Sequence, residues 1–196
     1  MKKFSLFIPV PKPAFMIQGF GENKISIYKE MGLLGHNGQD YPLMQGKPIR
    51  AAHDGLVVYA GMDGSEGYGV VIRTNETFDY NNDLVWFKSI YWHLLAGIPV
   101  KVGNQVKAGD IIGYADTTGL ATGSHLHFGL KPQAKGENDW TWYNLEQNNG
   151  YWGAINPQPF FNGYYAQDAQ TIFSILNQQI SILQKIISLL RIALNK

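Results

Sequence analysis

The chain has 196 residues, which suits one domain with appendages and is long enough to bury a sizeable core. Its 16 basic and 15 acidic residues give a formal net charge of +1, and there is no long run of either sign, so the charge pattern favours neither nucleic acid nor an anionic membrane surface as a partner. The absence of cysteine excludes disulfides.

The first 13 residues begin like a signal peptide, with two lysines ahead of an apolar stretch. Pro9, Pro11 and Pro13 interrupt that stretch, and no small-x-small cleavage site follows. We therefore expect residues 1–13 to form an extended arm and residues 14–165 to form the domain itself.

The first motif with chemical content is Gly35-His36-Asn37-Gly38-Gln39-Asp40. His36 and Asp40 are four residues apart and lie beside two glycines, so a tight bend can direct their nitrogen and oxygen donors to a common point.

The chain between Val57 and Phe128 alternates apolar stretches with turns rich in Gly, Asn and Asp. This pattern predicts a mainly antiparallel β-sheet domain, and inward-facing histidines on one sheet face would give an open groove suited to a polymer. One of these histidines is His93, within Tyr91-Trp92-His93-Leu94. Residues 74–88 are rich in Asn and Asp and are expected to form a polar loop that walls the groove.

The last motif is Gly123-Ser124-His125-Leu126-His127-Phe128. Residues i and i+2 of a strand share a face, so His125 and His127 can look into a single site, where one binds a metal and the other stands beside it. Added to His36 and Asp40, this gives two imidazoles and a carboxylate with a fourth position for water, which is the ligand set of a catalytic zinc. No Glu adjoins any His, so proton transfer falls to histidine rather than to a His-Glu-x-x-His helix.

In these motifs and their order, the chain resembles the lysostaphin/LytM-type zinc metalloendopeptidases, which cut the peptide part of bacterial peptidoglycan. Two scaffold phrases, at residues 46–61 and 102–113, are similar to that family as well, and the resemblance covers roughly residues 14–131. It implies a β-sheet domain of the duplicated hybrid motif type, with its core motifs within residues 35–131.

Carried over residue by residue, the resemblance implies that His36, Asp40 and His127 bind one Zn²⁺ per chain. It leaves His93 and His125 unligated beside the metal. His125 is the better candidate for the general base and His93 for holding the oxyanion, although the sequence leaves their division of roles open.

Other polar residues near the motifs are interpreted as structural. His53 lies in a scaffold phrase and is expected to be a hydrogen-bonded structural histidine. Asp54 and Asp110 each adjoin a glycine and are expected to form turns. Three residues depart from the family's pattern without removing a ligand: Gln39 replaces an aliphatic residue, Gly129 stands where an acid is common, and the bulky Trp92 is expected to narrow the groove.

Residues 132–165 are rich in aromatic side chains and have two interpretations. We favour a segment that closes the domain, because Asn156-Pro157-Gln158-Pro159-Phe160 resembles the end of this family's domain; the alternative is a platform on which sugars stack beside the groove. The aromatic residues concerned are Trp140, Trp142, Tyr143, Tyr151, Trp152, Phe160, Phe161, Tyr164 and Tyr165.

In residues 166–196 the apolar residues take on a helical spacing, which predicts an amphipathic helix. A heptad seam is flanked by a second apolar stripe, and such a wide apolar face predicts association of residues 167–196 into a trimer or larger homo-oligomer. Lys185 and Arg191 argue against a transmembrane span. Docking of the helix on its own domain is the alternative. The seam comprises Phe173, Leu176, Ile180, Leu183, Ile187, Leu190 and Leu194, and the second stripe Ile172, Ile175, Ile182, Ile186, Leu189 and Ala193.

The leading functional hypothesis is a zinc endopeptidase of bacterial peptidoglycan, of phage or secreted type. Such an enzyme acts outside the cytoplasm, and phage lysis, virion delivery or non-classical secretion would bring it there, with phage origin preferred. The alternatives are a non-catalytic wall-binding or activator module, which the intact set of histidines and Asp40 argues against, and a structural component of a phage particle.

Overall fold

The computed structural model describes residues 3–134, 148–165 and 167–194, and within the last segment it describes the side chains of residues 176–190. These described residues form two α-helices, α1 (Ile27–Glu30) and α2 (Gln167–Leu194). The strands are β1 (Leu6–Ile8), β2 (Gln39–Pro42), β3 (Pro48–Arg50), β4 (Gly55–Asp63), β5 (Gly67–Thr74), β6 (Phe78–Tyr80), β7 (Asp83–Leu94), β8 (Gln105–Val106), β9 (Ile111–Tyr114), β10 (His125–Ala134) and β11 (Phe161–Tyr164).

Seven strands form one antiparallel sheet in the order β2-β10-β7-β5-β4-β8, with β6 paired to β7. Two small two-stranded sheets flank it: β3 pairs with β9 antiparallel, and β1 pairs with β11 parallel. The prediction of a mainly β, antiparallel domain with a C-terminal helix is confirmed.

The main core lies on one face of the large sheet. Leu126, Phe128 and Leu130 of β10 are fully buried there, together with Phe87 and Tyr91 of β7. Because side chains alternate along a strand, His125 and His127 project from the opposite face. A smaller apolar cluster on that face contains Val58, Val71, Ile90 and Trp92.

The predicted N-terminal arm contributes directly to the main core. Phe4 stacks on Phe87 with ring centroids 4.1 Å apart, and Leu6 is 1% exposed. Leu6 also pairs with Phe161 in the parallel β1–β11 sheet. The extended segment therefore packs as part of the domain.

The prediction of a polar loop at residues 74–88 is wrong for most of this range. Residues 78–80 form β6, and β7 begins at Asp83. The two residues between them, Asn81 and Asn82, have φ values of 54° and 70°, which a tight two-residue hairpin needs at both central positions. This hairpin lies at the end of β7 opposite to His93, so it does not wall the histidine site.

Several aromatic residues of the C-terminal segment close the domain. Phe160 packs on Phe4 and Phe87 with centroid distances of 5.6 Å and 5.4 Å, and Phe161 packs on Phe128 at 5.6 Å. The hydroxyl of Tyr164 accepts a hydrogen bond from the backbone N–H of residue 14 at 2.7 Å. Trp140, Trp142 and Tyr143 lie outside the described residues.

The helix α2 is 28 residues long. All of its described side chains, at residues 176–190, are exposed, including Leu183 at 57% and Leu190 at 56%. Within the described part of the chain, no helix is both long and apolar enough to cross a membrane.

Candidate active site

Strand pairing places Asp40 directly opposite His127, in β2 and β10. Cross-strand partners project to the same side of a sheet, so the two side chains meet on the face opposite to the main core. His36 lies just before β2, where its N–H donates to the carbonyl of Glu22 at 2.9 Å and its carbonyl accepts from the N–H of Gly21 at 2.8 Å. This backbone pairing holds His36 at the end of β2.

The donor atoms of His36, Asp40 and His127 converge on one point. His36 Nε2 lies 2.9 Å from His127 Nδ1, and Asp40 Oδ1 lies 3.2 Å from the first nitrogen and 3.1 Å from the second. Bonds of zinc to nitrogen and oxygen at tetrahedral angles hold their ligand atoms about 3.3 Å apart. The three side chains therefore fit a metal ion with one position left open.

The electrostatics of this trio also suit a cation. Burial acts to raise the pKa of the Asp40 carboxyl, but its close contacts with the imidazoles of His127 and His36 outweigh it and hold that pKa below its usual range. Burial acts to lower the pKa of His127, yet the hydrogen bond to Asp40 and its negative charge raise it overall. An ionised carboxylate thus attracts positive charge to the point where the metal would bind.

Hydrogen bonds to backbone carbonyls fix the orientation of the imidazoles of His36, His93 and His125. A carbonyl only accepts, so Nδ1 donates in each case: His36 to Gly19 at 3.3 Å, His93 to Thr118 at 2.8 Å and His125 to Gly123 at 2.8 Å. In the neutral ring, Nε2 is then the atom without a proton. Such hydrogen bonds set the tautomer of histidines at metal sites.

His93 reaches the site because the strand alternation fails at this residue. Tyr91 lies in the main core and Trp92 on the opposite face, so regular alternation would turn His93 back into the core. Instead His93 has a φ of 63°, and its ring lies 4.5 Å from that of His125, while Leu94 returns to the core. Non-glycine residues in this left-handed region are uncommon and concentrate at functional sites.

Gly38 makes room for the ring of His127. A Cβ at position 38 would lie 2.6 Å from His127 Cε1 and 2.6 Å from the carbonyl oxygen of Phe128. The glycine between His36 and Asp40 is therefore required by close packing.

Tyr28 is a site residue that the sequence motifs did not indicate. It lies in α1, with its ring 5.7 Å from that of His36. Burial, with a further contribution from the charge of Asp40, raises the pKa of Tyr28 to about 12, so its hydroxyl keeps its proton at neutral pH. No fixed spacing links Tyr28 to the motifs, so only the folded loop reveals it.

His53, Asp54 and Asp110 lie outside this site. His53 donates from Nδ1 to the carbonyl of Asp54 at 2.8 Å, and its Nε2 lies 2.8 Å from Ser89 Oγ; burial lowers the pKa of His53 to about 4. Asp54 accepts hydrogen bonds from the backbone N–H of residue 108 and from Lys107 Nζ, at 2.8 Å and 2.9 Å. Asp110 accepts from the backbone N–H of Lys107 at 2.8 Å.

Two neighbouring cavities form a groove along this face. One, of about 360 Å³, contains His36, Asp40, His93, His125 and His127 in its wall. The other, of about 350 Å³, shares His127 and continues past Trp92 to Lys131 and Trp152. Trp92 is only 4% exposed because its ring fills the space above Gly69, where a Cβ would lie 1.8 Å from Trp92 Cε3.

Comparison with known proteins also indicates a peptidase. Residues 34–139 match the sequence profile of Peptidase family M23. The chain is 42% identical over 93 residues to the glycyl-glycine endopeptidase ALE-1 of Staphylococcus capitis and 38% identical over 93 residues to the DD-carboxypeptidase/endopeptidase Mpg of Neisseria meningitidis serogroup B. Each match covers 47% of this chain but only 24% and 19% of those relatives, so the chain corresponds to about a fifth of their length.

The fold is similar to that of a solved peptidase. The catalytic domain of lysostaphin from Staphylococcus simulans superimposes with a TM-score of 0.55 and 28% sequence identity, covering 75% of this chain and 91% of that domain.

Proposed function

The chain belongs to peptidase family M23, and on that premise we propose that it is a zinc-dependent endopeptidase that hydrolyses peptide bonds of bacterial peptidoglycan. The observation that carries this proposal is the convergence of the His36, Asp40 and His127 donor atoms, with the rings of His93 and His125 beside them. The names of its relatives support cleavage of peptide bonds. They describe one as a glycyl-glycine endopeptidase and another as a DD-carboxypeptidase/endopeptidase, so they do not agree on one bond.

We propose zinc as the metal because the donors are two imidazoles and one carboxylate whose atoms lie 2.9–3.2 Å apart. An ion held there by His36, Asp40 and His127 would lower the pKa of a bound water toward about 7 and polarise the scissile carbonyl.

His125 is the proposed general base. Its Nδ1 proton is committed to the carbonyl of Gly123, so Nε2 is free to take a proton from the attacking water and deliver it to the leaving amine. Its Nε2 also lies 3.8 Å from Asp40 Oδ1, which places it beside the metal ligands. His93 is proposed to hold the developing oxyanion. Its Nδ1 donates to Thr118 and burial lowers its pKa to about 4, so its Nε2 would donate to the oxyanion only with a proton that the attacking water has released.

Loss of turbidity of purified cell walls tests this function. We expect the zinc-loaded protein to clear the walls, a chelator to abolish clearing and added zinc to restore it. The His36→Ala variant is the matched control and should leave the walls turbid. Clearing that persists after the metal has been removed would contradict the proposal, whereas binding to walls without clearing would favour the non-catalytic wall-binding module. Walls with different cross-bridges would identify the bond that is cut.

We also propose that α2 associates with copies of itself into a trimer or larger bundle. Its described part presents two apolar stripes to solvent, and the heptad spacing of the first stripe is that of coiled coils rather than of a helix covering a sheet. The helix is also the feature that favours a structural role in an assembly as a second function. The exposed residues are Leu176, Ile180, Leu183, Ile187 and Leu190 in the seam and Ile182, Ile186 and Leu189 beside it.

Peptidoglycan lies outside the cytoplasmic membrane, so the proposed site of action is the cell wall. We propose a phage-type or secreted lytic enzyme that reaches the wall by phage lysis, virion delivery or secretion. Clustering of catalytic domains by α2 would then raise avidity for a repetitive wall polymer.

A further inference from the structure

Thr118 lies in the loop between β9 and β10 and contacts both the ring of His93 and the strand that carries it. We propose that Thr118 is a positioning residue for His93: its backbone carbonyl sets the direction of the imidazole, and its hydroxyl fixes the strand segment from which that imidazole projects. This inference rests on the proposed function, because Thr118 acts through the histidine that is proposed to hold the oxyanion.

Strand β7 carries one extra residue beside β5 at the position of His93. Tyr68 is paired with Leu94, and Val70 is paired with Tyr91. A step of two residues in β5 thus faces a step of three residues in β7. An extra residue of this kind is a β-bulge, which redirects a side chain and disrupts the local ladder of hydrogen bonds. The bulge accounts for the φ of 63° at His93 and for its departure from the strand alternation.

The hydroxyl of Thr118 bridges the two strands at the end of this bulge. It accepts a hydrogen bond from the backbone N–H of Tyr68 at 3.1 Å and donates one to the backbone carbonyl of Leu94 at 2.7 Å. Tyr68 and Leu94 are register partners, so one side chain joins β5 to β7 at the residue that follows His93. Because unpaired backbone groups are costly away from water, this bridge stabilises the bulged geometry.

The loop that contains Thr118 also holds His93 itself. The carbonyl of Thr118 accepts a hydrogen bond from His93 Nδ1 at 2.8 Å, and the backbone N–H of Asp116 donates to the carbonyl of His93 at 2.9 Å. The ring and the backbone of His93 are therefore bound to the same short segment. With Nδ1 committed to Thr118, Nε2 is the ring nitrogen that is left for contact with a substrate.

The turn before β5 and the first residue of β5 pack closely against Thr118. A Cβ at Gly67 would lie 2.4 Å from the carbonyl carbon of Thr118 and 2.6 Å from its Oγ1. The backbone N–H of Leu120 donates to the carbonyl of Ser65 at 2.7 Å, which ties the loop to the same turn. This packing restricts the movement of Thr118 relative to His93.

Replacement of Thr118 by valine tests the role of the hydroxyl, because valine keeps the shape and the backbone carbonyl but makes neither side-chain hydrogen bond. We expect Thr118→Val to lower kcat by about 10- to 100-fold, the usual effect of a small misplacement of a reacting group. KM and the content of one zinc per chain should stay as in the wild type. The rate of clearing over a range of wall concentrations gives kcat and KM separately.

Thr118→Ser keeps the hydroxyl and should recover most of the lost turnover. An unchanged kcat in Thr118→Val, or loss of zinc from it, would overturn the proposal. If Thr118→Val fails to fold, Thr118→Ala removes the same hydroxyl from a smaller side chain, and the same outcomes decide.

The matched control is Thr74→Val, at the opposite end of β5. The Thr74 hydroxyl accepts from the backbone N–H of Phe87 at 3.1 Å and donates to the carbonyl of Glu76 at 2.9 Å, so this variant loses the same pair of hydrogen bonds away from His93. Its kcat should equal that of the wild type. Equal losses of kcat in Thr74→Val and Thr118→Val would show a general effect on the fold and would overturn the proposal.

A double variant separates a positioning role from a merely structural one. His93→Ala has no imidazole to position, so adding Thr118→Val should leave its residual turnover unchanged. A further loss as large as the loss in the wild-type background would overturn the proposal.

Failure of the proposed function is distinguishable from failure of this inference. If the zinc-loaded wild type does not clear walls, the proposed function fails, and the tautomer of His93 then tests the positioning alone. Burial lowers the pKa of His93 to about 4, so the ring is neutral at neutral pH and its nitrogen NMR shifts report which nitrogen carries the proton. We expect the Nδ1–H tautomer alone in the wild type and in Thr74→Val, and a mixture of tautomers in Thr118→Val. A mixture in the wild type, or one and the same tautomer in all three chains, would overturn the proposal.

Discussion

The side chains of His36 and Asp40 provide two of the three donor atoms at the convergence point. Removal of either one leaves two protein ligands, which is too few to retain zinc at a catalytic site. We therefore expect His36→Ala and Asp40→Ala each to lose both zinc and activity, as measured by metal analysis and wall clearing. Full zinc occupancy in both variants would contradict the assignment of these ligands.

His93 and His125 should respond differently, because neither is proposed to bind the metal. We expect His93→Ala and His125→Ala to keep one zinc per chain and to lose a factor of roughly 100 to 10,000 in turnover, the usual contribution of a positioned acid–base group. Metal content and turnover measured on the same samples separate the two effects. Loss of zinc from either variant, together with retention in His127→Ala, would mean that ligand and base have been exchanged.

The burial of His53 leads to a prediction about the free energy of unfolding at acidic pH. Burial lowers the pKa of His53 to about 4 in the folded chain, below the value of 6.5 that it has without such burial. Between these pH values the unfolded chain binds more protons, so the folded state loses stability as the pH falls from about 6.5 to about 4. The full shift corresponds to about 3 kcal/mol. We expect His53→Gln to show a correspondingly smaller fall of the free energy of unfolding in urea titrations over this range; a fall equal to that of the wild type would contradict it.

Part of the candidate site is predictable at the residue scale because it depends on short spacings. The steps from His36 to Asp40 and from His125 to His127 each indicate a shared direction of two side chains. Tyr28 was missed because its approach to the site depends on a folded loop. The backbone conformation of His93 was equally invisible, since no local pattern marks a histidine with positive φ.

At the scale of the strands, Trp92 of β7 and Gly69 of β5 are complementary in size. A Cβ on residue 69 would overlap the indole at 1.8 Å, so Gly69→Ala should overpack this face and cost about 1–3 kcal/mol of unfolding free energy. We expect the double variant Gly69→Ala/Trp92→Ala to be more stable than the sum of the two single changes predicts, as measured by chemical denaturation.

The control for this cycle is Gly61→Ala in the neighbouring strand β4. A Cβ at position 61 meets nothing nearer than the Tyr59 hydroxyl, at 3.7 Å, so its effect on stability should be small. Additive effects of Gly69→Ala and Trp92→Ala would show that the two positions are not coupled.

The strands themselves were predictable wherever apolar residues alternate over several positions, as in β4, β5 and β10. The hairpin of β6 and β7 was not, because Asn and Asp dominate the sequence around its turn and hide the aromatic residues that anchor it. Phe78 packs its ring against Phe87 of the same hairpin and against Phe4, which is distant in sequence. The sequence Asn81-Asn82 is typical of a tight hairpin turn, but within a polar stretch it also fits a loop.

For the whole molecule, the decisive prediction concerns α2. Burying both apolar stripes takes more than one neighbouring helix, at about 25 cal/mol per Å² of apolar surface removed from water. We expect light scattering to give the mass of a trimer or larger assembly for the full chain and of a monomer for a chain ending near Tyr165. Equal monomeric masses would contradict association through the helix.

The two stripes can be separated by substitution. Replacing Ile182 and Ile186 by Gln leaves the heptad seam intact, so we expect this variant to shift from the larger bundle toward a dimer. Replacing Ile180 and Ile187 in the seam should abolish association. A dimeric wild type would mean that the second stripe takes no part in assembly.

The sequence predicted the overall architecture, but it did not predict how the N-terminal segment packs into the core of the domain. A segment with three prolines indicates an extended conformation and gives no sign of its partner. The core position of Phe4 depends on Phe87 and Phe160, which only the folded chain brings together.

The parallel pairing of Leu6 in β1 with Phe161 in β11 also has a consequence for the order of events during folding. The two strands are separated by about 150 residues of chain, so their contact closes one of the longest loops in the domain, and such non-local contacts form slowly. During synthesis, β1 emerges from the ribosome early and waits without its partner until β11 has been made. We expect the intervening hairpins to form the histidine face first and the β1–β11 sheet to pair afterwards. The nascent domain should therefore become fully active only when this last pairing is complete.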